Sequence, residues 1–197
     1  HRPVLRSSFA DGLFDPHKRS PTTARVLRDA GFASLAKQDT IAVIRKLGER
    51  LDSMPDDEEL RLATAEMCED MAEEIAATDP ARAIGLYCAA AETAFPVITR
   101  RHGSVSIRSE LIDIYNESCA EAAVLFYRTA PRFEDAVSFD GPFHSYRIEV
   151  SEKGRGLVSP GGFDQMHSAS VLRVKGFGRR QRLDGVGGAL VGYKAAS

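Results

Sequence analysis

Apolar residues recur at spacings of three and four through the first two thirds of the chain, then switch to alternation. Ser20-Pro21 offers an N-cap followed by proline at the first helical position, where the missing N–H costs nothing. Val26 and Leu27 are the apolar residues of the short helix that follows, and Gly31 stands where a left-handed C-terminal cap belongs. A second helix follows Asp39, with Ile41, Ile44, Leu47 and Leu51 at helical spacing, and Met54-Pro55-Asp56 ends it.

Three longer amphipathic helices come next. In the first, Leu60, Ala63, Met67, Met71 and Ile75 form one stripe opposite an acidic face. Asp79-Pro80 opens the second, with Ile84, Tyr87, Cys88, Ala91 and Phe95 inward and small residues, Gly85, Ala89 and Ala90, that permit close helix contact. The third starts at Ser109 or just before it, repeats Ile112, Tyr115, Cys119, Ala122 and Phe126, and closes at Pro131. Short connections make such helices antiparallel neighbours, so the pattern predicts stacked helical hairpins.

Past Pro131 the period becomes two. Tyr146, Ile148 and Val150 alternate with Arg147 and Glu149, Ser170 to Lys175 alternates again, and Ala189 to Tyr193 suits a third strand. Glycines cluster at 154, 156, 161 and 162 between them. The expected class is α+β, with an extended segment over 1–19, a helical domain over 20–131 and a β-rich region over 132–197. Three short strands cannot bury both faces, so this region reads as the start of a larger domain, supported by the helices or by other sequence.

Composition narrows the partners. The chain has 197 residues, 43% hydrophobic and 27% charged, with a formal net charge of −2, which gives no global reason to expect nucleic acid or a membrane surface. It begins at His1-Arg2-Pro3 without an initiator methionine, which leaves open a removed signal peptide or an arbitrary boundary. Charge is uneven. From Glu49 to Asp79 the acids are interrupted by only Arg50 and Arg61, whereas Arg173, Lys175, Arg179, Arg180 and Arg182 form a basic run without an acid. A solvated helix face accounts for the first; the second suits docking against acidic helices or binding a phosphate or lipid head group. Phe177 is the only aromatic residue in that run, so a single-strand nucleic-acid groove is poorly supported.

The chemistry-bearing residues give no complete site. Cys68, Cys88 and Cys119 fall on apolar helix sides without a CxxC pair, which fits small core residues better than a metal site. The histidines, His1, His17, His102, His144 and His167, lack a neighbouring His or Cys at metal-ligand spacing. His144 and His167 could join a site only through space. A nucleophile elbow needs glycines two before and two after a serine; Ser159 has Gly161 but Leu157. Gly185-Val-Gly187-Gly188-Ala-Leu-Val-Gly192 fails the phosphate-loop spacing, because Leu190 stands where glycine is required. It reads as a turn before a strand, in which Gly187 and Gly188 would allow backbone approach to a ligand or to a sheet. No cofactor, metal ligand or catalytic residue is assigned. Arg179, Arg180, Arg182, Gly187 and Gly188 are the candidate ligand or interface contacts.

Residues 65–95, containing DPARAIGLYCAAAETAF, and LIDIYNESC at 111–119 together resemble the helical leader of large bacterial α/β-hydrolases. LRVKGFGRRQRLDGVGGALVGY at 172–193 is similar to the linking β-region that precedes the hydrolase sheet in that family. The resemblance implies tetratricopeptide-like hairpins leading an esterase- or lipase-like serine hydrolase of the bacterial cell envelope or periplasm. It places the nucleophile, acid and histidine beyond Ser197, so none is carried onto this chain. The expected role is a non-catalytic N-terminal portion that shapes or covers an active site formed by later sequence, with that catalytic region as its partner. The alternative is a stand-alone helical-repeat module that binds a partner protein.

Overall fold

The computed structural model describes residues 19–100, 103–129, 136–149, 165–168 and 186–193. Its order is α1 (Pro21–Asp29), α2 (Thr40–Ser53), α3 (Glu58–Ile75), α4 (Pro80–Thr99), α5 (Val105–Thr129), then β1 (Val137–Asp140), β2 (Ser145–Ile148), β3 (Gln165–Ser168) and β4 (Leu190–Tyr193). The fold is α+β, helices first and strands after.

Caps set the helix boundaries. The Ser20 hydroxyl accepts from the Thr23 amide at 3.2 Å, and Pro21 follows it. At the other end of α1, Gly31 takes a φ of 74°, and the Gly31 and Phe32 amides return to the Arg28 and Leu27 carbonyls at 2.9 and 2.7 Å. That is a Schellman cap, built where only glycine avoids strain. Asp39, Asp57 and Asp79 cap α2, α3 and α4 by accepting from the Ala42, Leu60 and Arg82 amides at 3.0, 3.0 and 3.2 Å.

Helix α5 begins at Val105, ahead of the Ser109 start that spacing suggests. The Ser104 hydroxyl accepts from the Ile107 amide at 3.4 Å, and the Ser104 amide donates to Glu58 on α3 at 2.9 Å. A tertiary contact with the first turn of α3 thus fixes the start.

Helix α3 lies at the centre and touches α1, α2, α4 and α5. Its buried set therefore spreads over Leu60, Leu62, Ala63, Ala65, Met67, Cys68 and Ala72, wider than a single stripe, while Met71 and Ile75 are only half-buried. In α4 the buried residues include Ile84, Leu86, Ala90, Ala94 and Val97, whereas Phe95, expected inward, is 47% exposed and stacks on Tyr115 with ring centroids 5.8 Å apart. In α5, Leu111, Ile114, Ser118 and Leu125 enter the core, while Ile112, Tyr115 and Cys119 stay at its margin.

The acidic face of α3 is not simply solvated. Glu66 receives the Ser20 amide and hydroxyl, Glu59 pairs with Arg25 at 2.5 Å, and Asp70 pairs with Arg19 at 3.4 Å. Partner numbers fall on α3 as they rise along α1, so these helices are antiparallel. Glu58 meets Ser104 and Glu69 meets Ser118 at 3.3 Å, so α3 and α5 run parallel. In a regular stack of hairpins α1 and α3 would be parallel too, so that register does not extend to α1.

The strands form two separate antiparallel pairs. β1 pairs with β2, with Val137 opposite Ile148 and Phe139 opposite Tyr146; β3 pairs with β4, with Gln165 opposite Tyr193 and Met166 opposite Gly192. Strands suggested around Tyr146 and over Ala189 to Tyr193 correspond to β2 and β4; β1 alternates Val137 and Phe139 with Ser138 and Asp140 over only four residues, and β3 lacks alternation. The strand suggested over Ser170 to Lys175 lies outside the described residues. Phe139 is buried in the helical core, edge-on to Phe126 at 6.0 Å and 84°.

Candidate functional site

The β1–β2 hairpin is the feature that brings distant polar residues together. It lies on α4 at Gly85, where a side-chain carbon would collide with the Asp140 carbonyl. Its loop closes through the Gly141 amide donating to the His144 carbonyl at 2.9 Å, and Phe143 sits over Gly48 of α2. The small residue at position 85, which spacing assigned to helix packing, serves the close approach of a strand end.

This seating places His144 and Tyr146 over Glu92. His144 Nε2 stands 3.2 Å from Glu92 Oε2, and the Tyr146 hydroxyl donates to that same oxygen at 2.7 Å. The two rings are 4.5 Å apart, and Glu92 and His144 are each 53% exposed. Burial, together with the hydrogen bond to Glu92 and its charge, raises the Tyr146 phenol above its ordinary value. His144 and Tyr146 thus converge on one carboxylate oxygen, His144 at ion-pair distance and Tyr146 through a hydrogen bond. Glu92 is 52 positions before His144, so no local spacing could reveal the contact.

That cluster contains no thiol or activated hydroxyl nucleophile, and the nearby thiols do not supply one. Cys88, one turn before Glu92 on α4, has its thiol pushed up to about 12, by burial first and then by the nearby Cys119 and Glu92. Burial likewise raises the Cys68 and Cys119 thiols. Thiolate, not thiol, attacks and ligates, so these environments work against both roles. All three cysteines are free; Cys68 is buried, and Cys88 and Cys119 are half-buried.

A cleft of about 490 Å³ lies between α2, the start of α4 and β1. Its lining is more polar than apolar: Leu86 and Phe139 are almost covered, Ile41 and Pro142 contribute apolar surface, and Arg45 and Arg82 stand with Asp79 and Asp140, so the charges balance.

The residues singled out from sequence fall elsewhere. Arg179, Arg180 and Arg182 lie outside the described residues. Gly187 and Gly188 meet helix α5: the Gly187 amide donates to the Asn116 side-chain oxygen at 2.7 Å, and a side chain on Gly188 would strike the backbone of Cys119 and Ala120. The backbone approach expected of these glycines is therefore made to a helix. Among the described residues no cluster of metal-ligating side chains occurs, and no helix is long and apolar enough to cross a membrane. No family model, curated protein or solved structure matches this chain.

Proposed function

We propose that this chain is the non-catalytic helical leader and linking β-region of a bacterial serine hydrolase of esterase or lipase type. In this reading it shapes or covers an active site built by other sequence, in the cell envelope or periplasm. The observation that supports it best is the pair of two-stranded sheets. Each lies on a helix, β1–β2 on α4 and β3–β4 on α5 through β3, and neither pairs with a third strand among the described residues. Two-stranded sheets have little stability alone and leave strand edges that further strands can extend. The tetratricopeptide-like character of α2–α5 belongs to the same proposal, supported by the parallel course of α3 and α5 around α4.

Intact mass and active-site labelling of the natural protein test this reading. A product much heavier than 21.5 kDa that takes up a serine-reactive phosphonate outside these residues is expected. A mature product near 21.5 kDa that takes up no label overturns it.

The second reading, a helical module that binds a partner protein, is favoured by the side-by-side packing of α3 and α5 around α4, which resembles one step of a stacked repeat. It predicts that the mature 21.5 kDa chain copurifies with one partner at fixed stoichiometry.

A further inference from the structure

Helix α1 is held to α3 more by charge than by apolar burial. Arg19, just ahead of the helix, pairs with Asp70; the Ser20 amide and hydroxyl reach Glu66; and Arg25 pairs with Glu59 at 2.5 Å. On α3, Glu59, Ala63, Glu66 and Asp70 follow one another at spacings of four, three and four, which puts them on one stripe. Thr23 falls between the same contacts on α1, as Ala63 does on α3, and both are fully covered. The middle of the seam is therefore made of small side chains, and the Thr23 hydroxyl has no hydrogen-bond partner among the described residues. An orphan buried hydroxyl costs stability instead of adding to it. Leu27 is the one apolar side chain of α1 that is buried.

The attachment of α1 also lets it move as a unit. It packs chiefly on α3, and Gly31 at its C-terminal end holds a φ of 74° with nothing within 4 Å of where a side-chain carbon would stand. A short element so attached belongs to the low-stability end of a fold, where local opening precedes global unfolding. Its ion pairs are part-exposed, Arg25 by 47% and Glu59 by 43%, so dissolved salt reaches and screens them. We propose that α1 is an ionic clasp: it closes over the acidic stripe of α3 and opens as a unit about Gly31 when ionic strength rises, while α2–α5 stay packed. Opening exposes the stripe of Glu59, Ala63, Glu66 and Asp70. The inference is independent of the hydrolase reading.

Amide hydrogen exchange of the full chain tests it in about 0.1 M and about 1 M sodium chloride, between which the screening length falls from about 10 to about 3 Å. Amides of α1 report the clasp, and those of α4 report the packed core. The expected result is exchange in α1 faster by about tenfold or more at the higher salt, as for the loss of a few part-exposed pairs, with α4 unchanged. The double variant Glu59→Gln with Asp70→Asn removes both acidic partners at part-exposed positions. Its α1 amides should exchange fast already at the lower salt and respond less to added salt. Arg25→Gln, on the α1 side, should act in the same direction. Circular dichroism of each variant confirms that the other helices persist. The proposal is overturned by α1 amides that respond to salt no more than those of α4, or by variants that behave as the parent. It is overturned equally if α1 exchanges only together with α4 at both salts.

Discussion

Glu66 on α3 closes the start of α1: its two carboxylate oxygens accept the Ser20 amide at 2.5 Å and the Ser20 hydroxyl at 2.7 Å. The same hydroxyl oxygen caps α1 by accepting from Thr23, so one side chain of α3 organises a helix that is only nine residues long. Short helices are marginal alone and depend on such support. Replacing Glu66 with Ala is expected to lower stability by about 1–3 kcal/mol, the range for losing charge-assisted hydrogen bonds. Urea denaturation would measure it. An unchanged midpoint would show that α1 does not need this contact.

Glu69 sits between α3 and α5 among Glu117, Glu73 and Asp70, with one hydrogen bond from Ser118. Burial, then the charges of Glu117 and Glu73, raises its carboxyl well above the usual range, and the Ser118 bond only partly offsets them. A carboxyl raised in the folded state favours folding while it is protonated. That stability is complete below the ordinary carboxyl range and is lost as pH climbs through the raised value. Glu69→Gln is therefore expected to stabilise the protein at pH 7, on the order of 1 kcal/mol, and to flatten the loss of stability above the carboxyl range. Thermal melts of both proteins across that range check the sign; a less stable Gln variant at pH 7 would contradict it.

Gly85 carries opposing effects. Alanine in a helix interior is better than glycine by about 0.8–1 kcal/mol, which by itself would stabilise α4. Here the added carbon meets the Asp140 carbonyl, and forced overpacking costs about 1–3 kcal/mol. Because the obstacle is backbone, the hairpin must lift. Gly85→Ala is expected to be net destabilising by about 1 kcal/mol and to expose the Gly141–His144 loop to proteolysis. Equal stability together with an uncut loop would mean that the hairpin shifts without undocking.

The thiols provide a separate check on the core. Cys68 is fully buried, and burial raises the Cys88 thiol to about 12. At pH 8 the native protein should therefore leave Cys68 unreactive toward a disulfide reagent and modify Cys88 at least about a hundredfold more slowly than free cysteine. All three thiols should react at once in denaturant. Fast labelling of Cys68 in native buffer would show that α3 is not packed as described.

Local chemistry made much of the helical part legible. Ser20-Pro21, Asp39 and Asp79-Pro80 marked three starts, because capping groups act within three residues of one another. The start of α5 escaped, since its position depends on Glu58, 46 residues earlier. The burial of Phe95 was misjudged for a related reason. Helical spacing shows that an apolar stripe exists, but the neighbours decide which stripe is covered, and α4 buries the face that meets α3 and α5. Of the candidate site, sequence placed Gly187 and Gly188 in a turn but could not show that their contact is α5.

Sequence by itself determined the class, the caps and the change of period after the helices, because each depends on residues within a turn or a strand of one another. Tertiary structure decided that α3 is central, that His144 and Tyr146 converge on Glu92, and that Phe139 enters the helical core. Those relations join positions tens of residues apart, which only the packing of the helices around α3 and of the hairpin on α4 brings within reach.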